Sequence, residues 1–463
     1  MKTFSIDDTI AAIATPLGEG GVGIVKISGP EARSILEQLF VPASAVRHPA
    51  SLVHLAPRRL TFGHICDPRT GAMVDEVLAV YMPAPRSYTR QDVVEIQAHG
   101  GIVPLRQTLQ LTLMSGARLA EPGEMTLRAF VNGRLDLAQA EAVLDVVQAR
   151  TEAALRVATE QLEGKLSARV RSVRAQLVEV LAYLEASIDF VEDEIPSQDV
   201  IAPLRQVGHA LQDILSTADR GLIYRQGIRA AIVGRPNVGK SSLLNALLRG
   251  ERAIVTPIPG TTRDTLEETI NIQGVPLVLV DTAGIRAETG DEVERIGVER
   301  SRAALDRADL ALLVIDGSQP LTDADRSISA LISRKPGLVV VNKNDLPQIE
   351  LPTDLLPAVP RLSVSALMGE GIEALEEAVV GLVFGGAVTA ADTPLVSNPR
   401  HQASLKRALD YVGAAEGGQL GGLSSDLVAI DVREAVDALG EITGETVSED
   451  LLEAIFANFC IGK

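Results

Sequence analysis

The sequence predicts a multidomain chain of α/β + α class: an N-terminal α+β domain, a helical domain, and a doubly wound α/β domain inserted into the helical one. Three observations predict it. Residues 1–130 alternate short β-like runs with Pro- and Gly-rich turns, as at Met82-Pro83-Ala84-Pro85. From about 135, apolar residues recur at helical steps of three and four. From Arg229, strand-like and helix-like runs alternate as in a parallel sheet, and helical periodicity resumes after about 386. The boundaries fall at 1–130, 131–226, 227–385 and 386–463, and the two helical halves are expected to pack together across the insertion.

Size and composition fit this division. A chain of 463 residues is too long for one core, and two to four domains are expected. Aromatic residues are 3% and Trp is absent, so Leu, Val, Ile and Ala must build most of the interior. No run approaches the roughly 20 apolar residues of a membrane span, and no apolar leader opens MKTFSIDDTI. The two cysteines, Cys66 and Cys460, cannot make a disulfide framework. A soluble cytoplasmic protein is expected, with no membrane partner. The net charge of −18, from 43 basic and 61 acidic residues, argues against broad nonspecific nucleic-acid binding but leaves a local basic patch open.

In chain order, 9–14, 22–27, 77–81 and 93–96 read as strands and 103–114 as a helix. Gly18-Glu-Gly20-Gly-Val-Gly23 matches a dinucleotide fingerprint, but the strand pattern continues through 22–27. No helix start would face a pyrophosphate, so a turn between strands is expected there. His64, Cys66 and His99 have poor spacing for zinc and read as structural residues. Leu155, Ala158, Leu162, Leu166, Val170, Val173, Leu177, Val180, Leu184 and Ile188 form one apolar stripe with no proline before Pro196. That pattern predicts a single helix about 50 Å long, with Arg169, Arg171 and Arg174 on a solvated face. Helices are expected again over 402–414, 426–439 and 449–457.

The inserted domain carries four nucleotide signals in order. The first is Gly234-x-x-x-x-Gly239-Lys240-Ser241, after a β run and before an amphipathic helix. Its glycines let backbone N–H groups curl toward phosphates, and the helix start adds a favourable dipole. Asn237, Val238, Gly239, Lys240, Ser241 and Ser242 would line that loop, Lys240 reaching the β- and γ-phosphates and Ser241 ligating Mg²⁺. The second, Asp281-Thr282-Ala283-Gly284, ends an apolar strand; Asp281 suits Mg²⁺ through water, and Gly284 can approach the γ-phosphate. The third, Asn342-Lys343-Asn344-Asp345, reads guanine, because Asp345 can accept from both N1–H and the 2-amino group. The fourth, Ser365-Ala366-Leu367, suits the loop whose backbone meets guanine O6. Between the first two lies Thr256-Pro257-Ile258-Pro259-Gly260-Thr261-Thr262, where a threonine can complete Mg²⁺ coordination and sense the γ-phosphate. The series predicts a P-loop domain that binds and hydrolyses GTP. Ile285 stands where many GTPases keep a water-positioning Gln, so hydrolysis needs another group to orient water and another positive charge.

Outside that domain, Gly20-Gly-Val-Gly-Ile-Val-Lys26-Ile-Ser-Gly29, Ser87-Tyr-Thr-Arg-Gln-Asp-Val-Val-Glu95, His99-Gly-Gly101, the run from Glu121 through Asn132-Gly-Arg134 to Glu141, and terminal Phe459-Cys460-Ile-Gly-Lys463 carry a closer likeness. With them the whole chain resembles the MnmE (TrmE) family of tRNA wobble-uridine modification GTPases. The resemblance implies an N-terminal folate-binding and dimerising domain, a helical domain, and a G domain inserted in it. It implies a homodimer that joins an FAD-containing MnmG/GidA-type partner in a heterotetramer or larger assembly. Together they would place an aminomethyl-type group (carboxymethylaminomethyl) on C5 of the tRNA wobble uridine, using a one-carbon unit from 5-formyltetrahydrofolate or a related tetrahydrofolate. By motif match the folate residues are Lys26, Glu95, Arg134 and Lys463. The family commonly has Arg where Lys26 stands and Lys where Arg134 stands, which keeps charge but changes fork geometry.

The resemblance also supplies the missing charge. A potassium ion would act in the role of an arginine finger in a G-domain dimer, at Asn237, Thr256, Ile258 and Thr261, while Ser241 and Thr262 match the Mg²⁺ ligands. Glu294 matches the residue that orients the attacking water. Cys460 is a catalytic candidate beside a plain packing role; the terminal Cys460-Ile-Gly-Lys463 fits prenylation badly. The competing function is a ribosome-assembly RNA-docking GTPase switch, but such proteins usually append a basic RNA-binding domain, and this C-terminus is helical and not notably basic.

Overall fold

The computed structural model describes residues 7–43, 55–189, 196, 198–249, 268–280, 294–333, 335–350, 352, 356–385 and 396–462; of 249 and 294–300 it describes the backbone alone. The chain divides into two compact units, Met1–Leu144 with Gly440–Lys463, and Asp145–Leu439.

The first unit is built on a sheet whose strands alternate inward and outward residues. Its strands are β1 (Ile10–Ile13), β2 (Gly23–Ser28), β3 (Phe40–Pro42), β4 (Thr61–Cys66), β5 (Met73–Met82), β6 (Val93–Ala98) and β7 (Arg118–Leu119), ordered β3-β4-β5-β6-β2-β1-β7. Val25, Ile27, Val77, Ala79, Val94 and Ile96 face one side. There they meet Ala32, Ile35, Leu36 and Leu39 of α1 (Ala32–Leu39) and Leu105 and Leu111 of α2 (Ile102–Met114). The period of two places Lys26 and Glu95 on the opposite side, paired across β2 and β6. A third helix, α3 (Glu124–Val131), contributes Leu127 to a cluster with Leu137, Ala140, Phe456 and Phe459, so the C-terminal helix Glu449–Phe456 folds with this unit.

The runs expected at 9–14, 22–27, 77–81, 93–96 and 103–114 fall on β1, β2, β5, β6 and α2, while α1, β3, β4, β7 and α3 were not expected. The glycine fingerprint is a turn: β2 continues from Gly23, and a Cβ at Gly100 would lie 2.3 Å from the Gly20 carbonyl oxygen. Those glycines let two turns touch.

The second unit begins in α4 (Leu137–Gln148) and continues through α5 (Glu152–Leu162), α6 (Lys165–Asp189), α7 (Ile201–Leu215) and α8 (Ala218–Gln226). The single long helix expected through 155–188 is two helices. Gly164 sits at φ 84°, a left-handed conformation that ends α5 before α6 begins. Arg174, expected on a solvated face, donates from Nε to the Val436 carbonyl at 3.3 Å.

The α/β sheet follows, with β8 (Ile228–Val233), α9 (Lys240–Arg249), β9 (Glu268–Ile272), β10 (Val275–Leu279), α10 (Glu294–Arg307), β11 (Leu310–Asp316), α11 (Asp323–Ile332), β12 (Gly337–Asn342), β13 (Arg361–Ser363) and α12 (Ile372–Val383). Strand order is β13-β12-β11-β8-β10-β9, parallel except for β9. β11 and β12 are buried along their whole length because separate apolar clusters cover the two faces of the sheet. The chain then enters α13 (Pro399–Leu420), which packs on α7 with Arg205 Nε 2.6 Å from Glu416 Oε1, and α14 (Ser425–Thr443). The sheet is thus inserted between helices that pack on each other. At the exit, a Cβ at Gly221 of α8 would lie 1.8 Å from the Val396 carbonyl oxygen. At the entrance, Gly227 caps α8 at φ 76°, and its Cβ would lie 2.6 Å from the Pro276 carbonyl oxygen.

Candidate functional site

Strand β8 lies between β10 and β11: the chain leaves β8 toward β10 on one side and then crosses back to β11 on the other, which opens a crevice beyond its C-terminal end. The phosphate-type loop occupies that position. Gly234 and Gly239 have φ 156° and 99°, and Asn237 stands between them at φ 61°. A side chain at Gly239 is excluded twice, by this backbone and by Asn342 Nδ2, 2.1 Å from where its Cβ would be. Lys240 opens α9 and is buried; its ammonium donates to the carbonyls of Gly234 at 2.7 Å and Arg235 at 2.8 Å. Ser241 and Ser242 are exposed on the first turn, and Val238 is buried.

The residues at 342–345 and 365–367 are tied together by short contacts. Asn342, at the end of β12, is 3% exposed and uses both ends of its carboxamide. Nδ2 donates to the Val238 carbonyl at 2.8 Å, and Oδ1 accepts from the Ala366 N–H at 3.0 Å. Asp345 Oδ1 accepts from Ser365 Oγ at 2.6 Å, and Asn344 N–H reaches the Val364 carbonyl at 3.0 Å. Leu367 projects from the same turn, 74% exposed. Lys343 is left-handed at φ 67° and its Nζ lies 2.6 Å from Asp316 Oδ2. Burial would raise the Asp316 pKa, but hydrogen bonds from Lys343 and Ser318 hold its carboxyl below the usual carboxylate range.

Sequence reasoning missed Asp316 because it lies 27 residues from Lys343 and carries no motif of its own. The available signal was a carboxylate ending the apolar run Leu-Ala-Leu-Leu-Val-Ile-Asp316. It also missed Arg235, whose Nη2 donates to Gln319 Oε1 at 3.0 Å while Nε sits 3.4 Å from buried Asp325.

The hairpin between β9 and β10 separates the segments expected to sense the γ-phosphate, and it touches the helical part. Thr151 caps α5 by accepting from Ala154 N–H at 3.1 Å and donates to the Gly274 carbonyl at 2.9 Å. Arg150 Nη1 donates to Thr269 Oγ1 at 2.6 Å.

In the first unit, Lys26, Glu95 and Arg134 come together around a residue the motifs did not single out. Lys26 Nζ is 3.5 Å from Glu95 Oε1 and 5.5 Å from the centre of the Tyr88 ring. The Arg134 guanidinium is 4.5 Å from that centre, and its Nη1 donates to the Tyr88 carbonyl at 3.1 Å. Tyr88 is fixed from below by a 2.9 Å hydrogen bond with Thr126, and burial pushes its hydroxyl pKa up. Cys460 is exposed, and its carbonyl accepts from Gly123 N–H at 3.4 Å. His99 is exposed, with Nδ1 2.6 Å from Asp75 Oδ1; that hydrogen bond raises its pKa. Among the described residues no group of His, Cys, Asp and Glu could hold a metal.

Thr256, Pro257, Ile258, Pro259, Gly260, Thr261, Thr262, Asp281, Thr282, Ala283, Gly284 and Lys463 lie outside the described residues. Glu294 begins α10, with its side chain outside them.

Two family models match the chain: the GTP-binding protein TrmE N-terminus over residues 9–134, and the MnmE helical domain over 137–460. The tRNA modification GTPase MnmE of Chloroflexus aurantiacus is 52% identical over 462 residues, covering 99% of this chain and 100% of that protein. This chain belongs to the MnmE family. Other members of the family agree: the MnmE protein of Roseiflexus sp. is 52% identical over 470 residues, with 99% of each chain covered. That of Geobacillus kaustophilus is 49% identical over 463 residues, 98% of this chain and 99% of that protein. Among the described residues no helix is long and apolar enough to cross a membrane.

Proposed function

We propose that this chain is a tRNA modification GTPase that holds GTP between the 234–242 loop and the loops at 342–345 and 365–367. Asn342 carries the reading. Its single carboxamide ties the phosphate loop, through Val238, to the base loop, through Ala366. A site that grips a nucleotide at both ends needs its two ends fixed relative to each other, and this clasp fixes them. Lys240 meets the β- and γ-phosphates, Asp345 accepts from guanine N1–H and the 2-amino group, and the Ala366–Leu367 backbone meets O6.

Mg²⁺ would be held by Ser241 and Thr262, with Asp281 acting through water. Ser241 fits this role as an exposed hydroxyl on the first turn of α9. K⁺ would be held by Asn237, Thr256, Ile258 and Thr261. The donors are neutral oxygens, as a weakly hydrated monovalent cation prefers, and Asn237 projects from a left-handed residue at φ 61°. Bound there, the ion supplies positive charge to the transferring phosphoryl group. Glu294 orients the attacking water in place of the glutamine absent at Ile285. Hydrolysis faster in KCl than in NaCl is the expected result, and equal rates in the two salts would remove the potassium assignment. Glu294→Ala should abolish turnover while nucleotide still binds.

For the first unit the reading is a 5-formyltetrahydrofolate or related tetrahydrofolate site formed by Lys26, Glu95, Arg134 and Lys463, with Cys460 beside it as a catalytic candidate. Two cations near one aromatic ring, with a carboxylate beside one of them, fit a ligand with carboxylates, a flat heterocycle and ring N–H donors. The one-carbon unit would reach C5 of the wobble uridine in a cytoplasmic homodimer joined to an FAD-containing MnmG/GidA-type partner. Binding of 5-formyltetrahydrofolate that survives Glu95→Ala would sink this assignment.

A further inference from the structure

We propose that Asp316 is a positioning residue for guanine-nucleotide binding, and that it acts by locking the Lys343 side chain across the base-reading loop. The proposal rests on the nucleotide reading above and names a residue outside all four motifs. Asp316 ends β11, and its backbone pairs with Asn342 at the end of β12, so the two strand ends are in register. Only 2% of Asp316 is exposed. One of its oxygens accepts from Ser318 N–H at 3.0 Å and Ser318 Oγ at 2.7 Å, which leaves the other directed at Lys343 Nζ, 2.6 Å away. The carboxylate is therefore held before Lys343 reaches it.

Lys343 is fixed at both ends. Its backbone is left-handed at φ 67°, between a paired strand and the Asn344 N–H bond to Val364. Its ammonium is fixed by Asp316. A lysine pinned in this way has a stem of four methylenes whose course is set in advance, where a free lysine samples many rotamers. Two residues further on, Asp345 is aimed by Ser365. A flat base whose edge meets Asp345 must settle beside the loop that Lys343 forms, so a prearranged stem offers its face an apolar wall at no ordering cost. The same ion pair keeps the ammonium off the Asp345 carboxylate, which beside its bond from Ser365 has lone pairs left to accept from the base.

The test is nucleotide affinity in the full-length chain, measured with a fluorescent GDP analogue and Mg²⁺ for Asp316→Asn, Lys343→Met and the double variant. Asp316→Asn should weaken binding about tenfold, with kcat at saturating GTP within about twofold of the parent. The double variant should bind no more weakly than Lys343→Met alone, because Asp316 acts through Lys343. Equal losses from Asp316→Asn with and without Lys343 would mean that it acts on the fold instead, and would overturn the proposal. So would an affinity within about twofold of the parent. Ser318→Ala removes one of the two Ser318 bonds to Asp316 and perturbs packing least, so it decides the matter if Asp316→Asn does not fold. A two- to threefold loss of affinity in Ser318→Ala supports the proposal, and an unchanged value opposes it. A parent chain that binds no guanine nucleotide would defeat the underlying reading instead.

Discussion

Asn342 joins two loops more than a hundred residues apart along the chain. Replacing it with alanine leaves the Val238 carbonyl and the Ala366 N–H buried without their partner. Each such loss costs roughly 1–3 kcal/mol, so Asn342→Ala should destabilise the second unit by about 2–4 kcal/mol and weaken nucleotide binding as well. Urea unfolding and a nucleotide titration on the same sample check both parts. Gly239→Ala should act on both as well, because its Cβ would push the Asn342 amide off its partners and hold a non-glycine residue at φ 99°. We expect more than a tenfold loss of nucleotide affinity together with an unfolding midpoint lowered at least as far as in Asn342→Ala. Among the described residues, the 234–242, 342–345 and 365–367 runs were legible because each follows a strand with a local spacing that the expected chemistry requires. Asp316, Arg235 and Tyr88 were not legible. Each matters through a partner distant in sequence, and spacing records only near neighbours.

Among elements, the legible ones were those whose period is uninterrupted. The β11 and β12 runs, and β8 from Ala230 on, are apolar up to their polar ends because both faces are covered, and β2 alternates because only one face is. The α5–α6 break escaped notice because the apolar stripe keeps its phase across Gly164, so periodicity alone could not show that the backbone turns left-handed there. α11 supplies an element-scale prediction. Thr322 and Asp325 form a reciprocal capping box at its start, and losing such a cap costs about 1 kcal/mol. Thr322→Ala should lower stability by that amount; Asp325→Ala should cost more, since that carboxylate also faces Arg235. Gly221 has a harsher requirement. The Val396 carbonyl occupies the space its Cβ would need, and backbone cannot swing aside as a side chain can. Gly221→Ala should cost about 3 kcal/mol, the upper end of what overpacking in a core usually costs, read as a lowered thermal midpoint.

Over the whole molecule, the two units differ in what holds them. The first encloses a charged network. Arg128 is fully buried against Glu124 Oε1 at 2.9 Å and also pairs with Asp8, while Arg118 Nη2 reaches Glu124 at 2.7 Å. Burial opposes ionisation of Glu124, but the arginines and the Glu121 N–H outweigh it and depress its pKa; the arginines depress that of Asp8 likewise. A depressed folded-state pKa gives stability that is complete above the unfolded value, about 4.3 for Glu. That contribution is lost as pH falls through the lower folded value. Unfolding of the first unit should therefore become easier below about pH 4, and Glu124→Gln should flatten that acid branch while lowering stability at neutral pH. The membership of the C-terminal helix in this unit was hidden from the sequence, because Phe456 and Phe459 meet Leu127 and Leu137 across more than three hundred residues.

The attachments of the inserted sheet to the helices lie at one end. Gly227 enters at the start of β8, and Thr151 grips Gly274 at the start of β10. The 234–242 and 342–345 loops leave from the opposite ends of β8 and β12. A six-residue strand spans about 20 Å, so the helices hold the short arm of a lever and the nucleotide rim is its far tip. A rocking of about 10° at the base carries a rim about 20 Å away through about 3 Å. Read in reverse, a displacement of about 3 Å at the far ends of β8 and β12 would arrive at the β9–β10 hairpin as a rotation of about 10°, where Thr151 and Arg150 hold that hairpin to the helices.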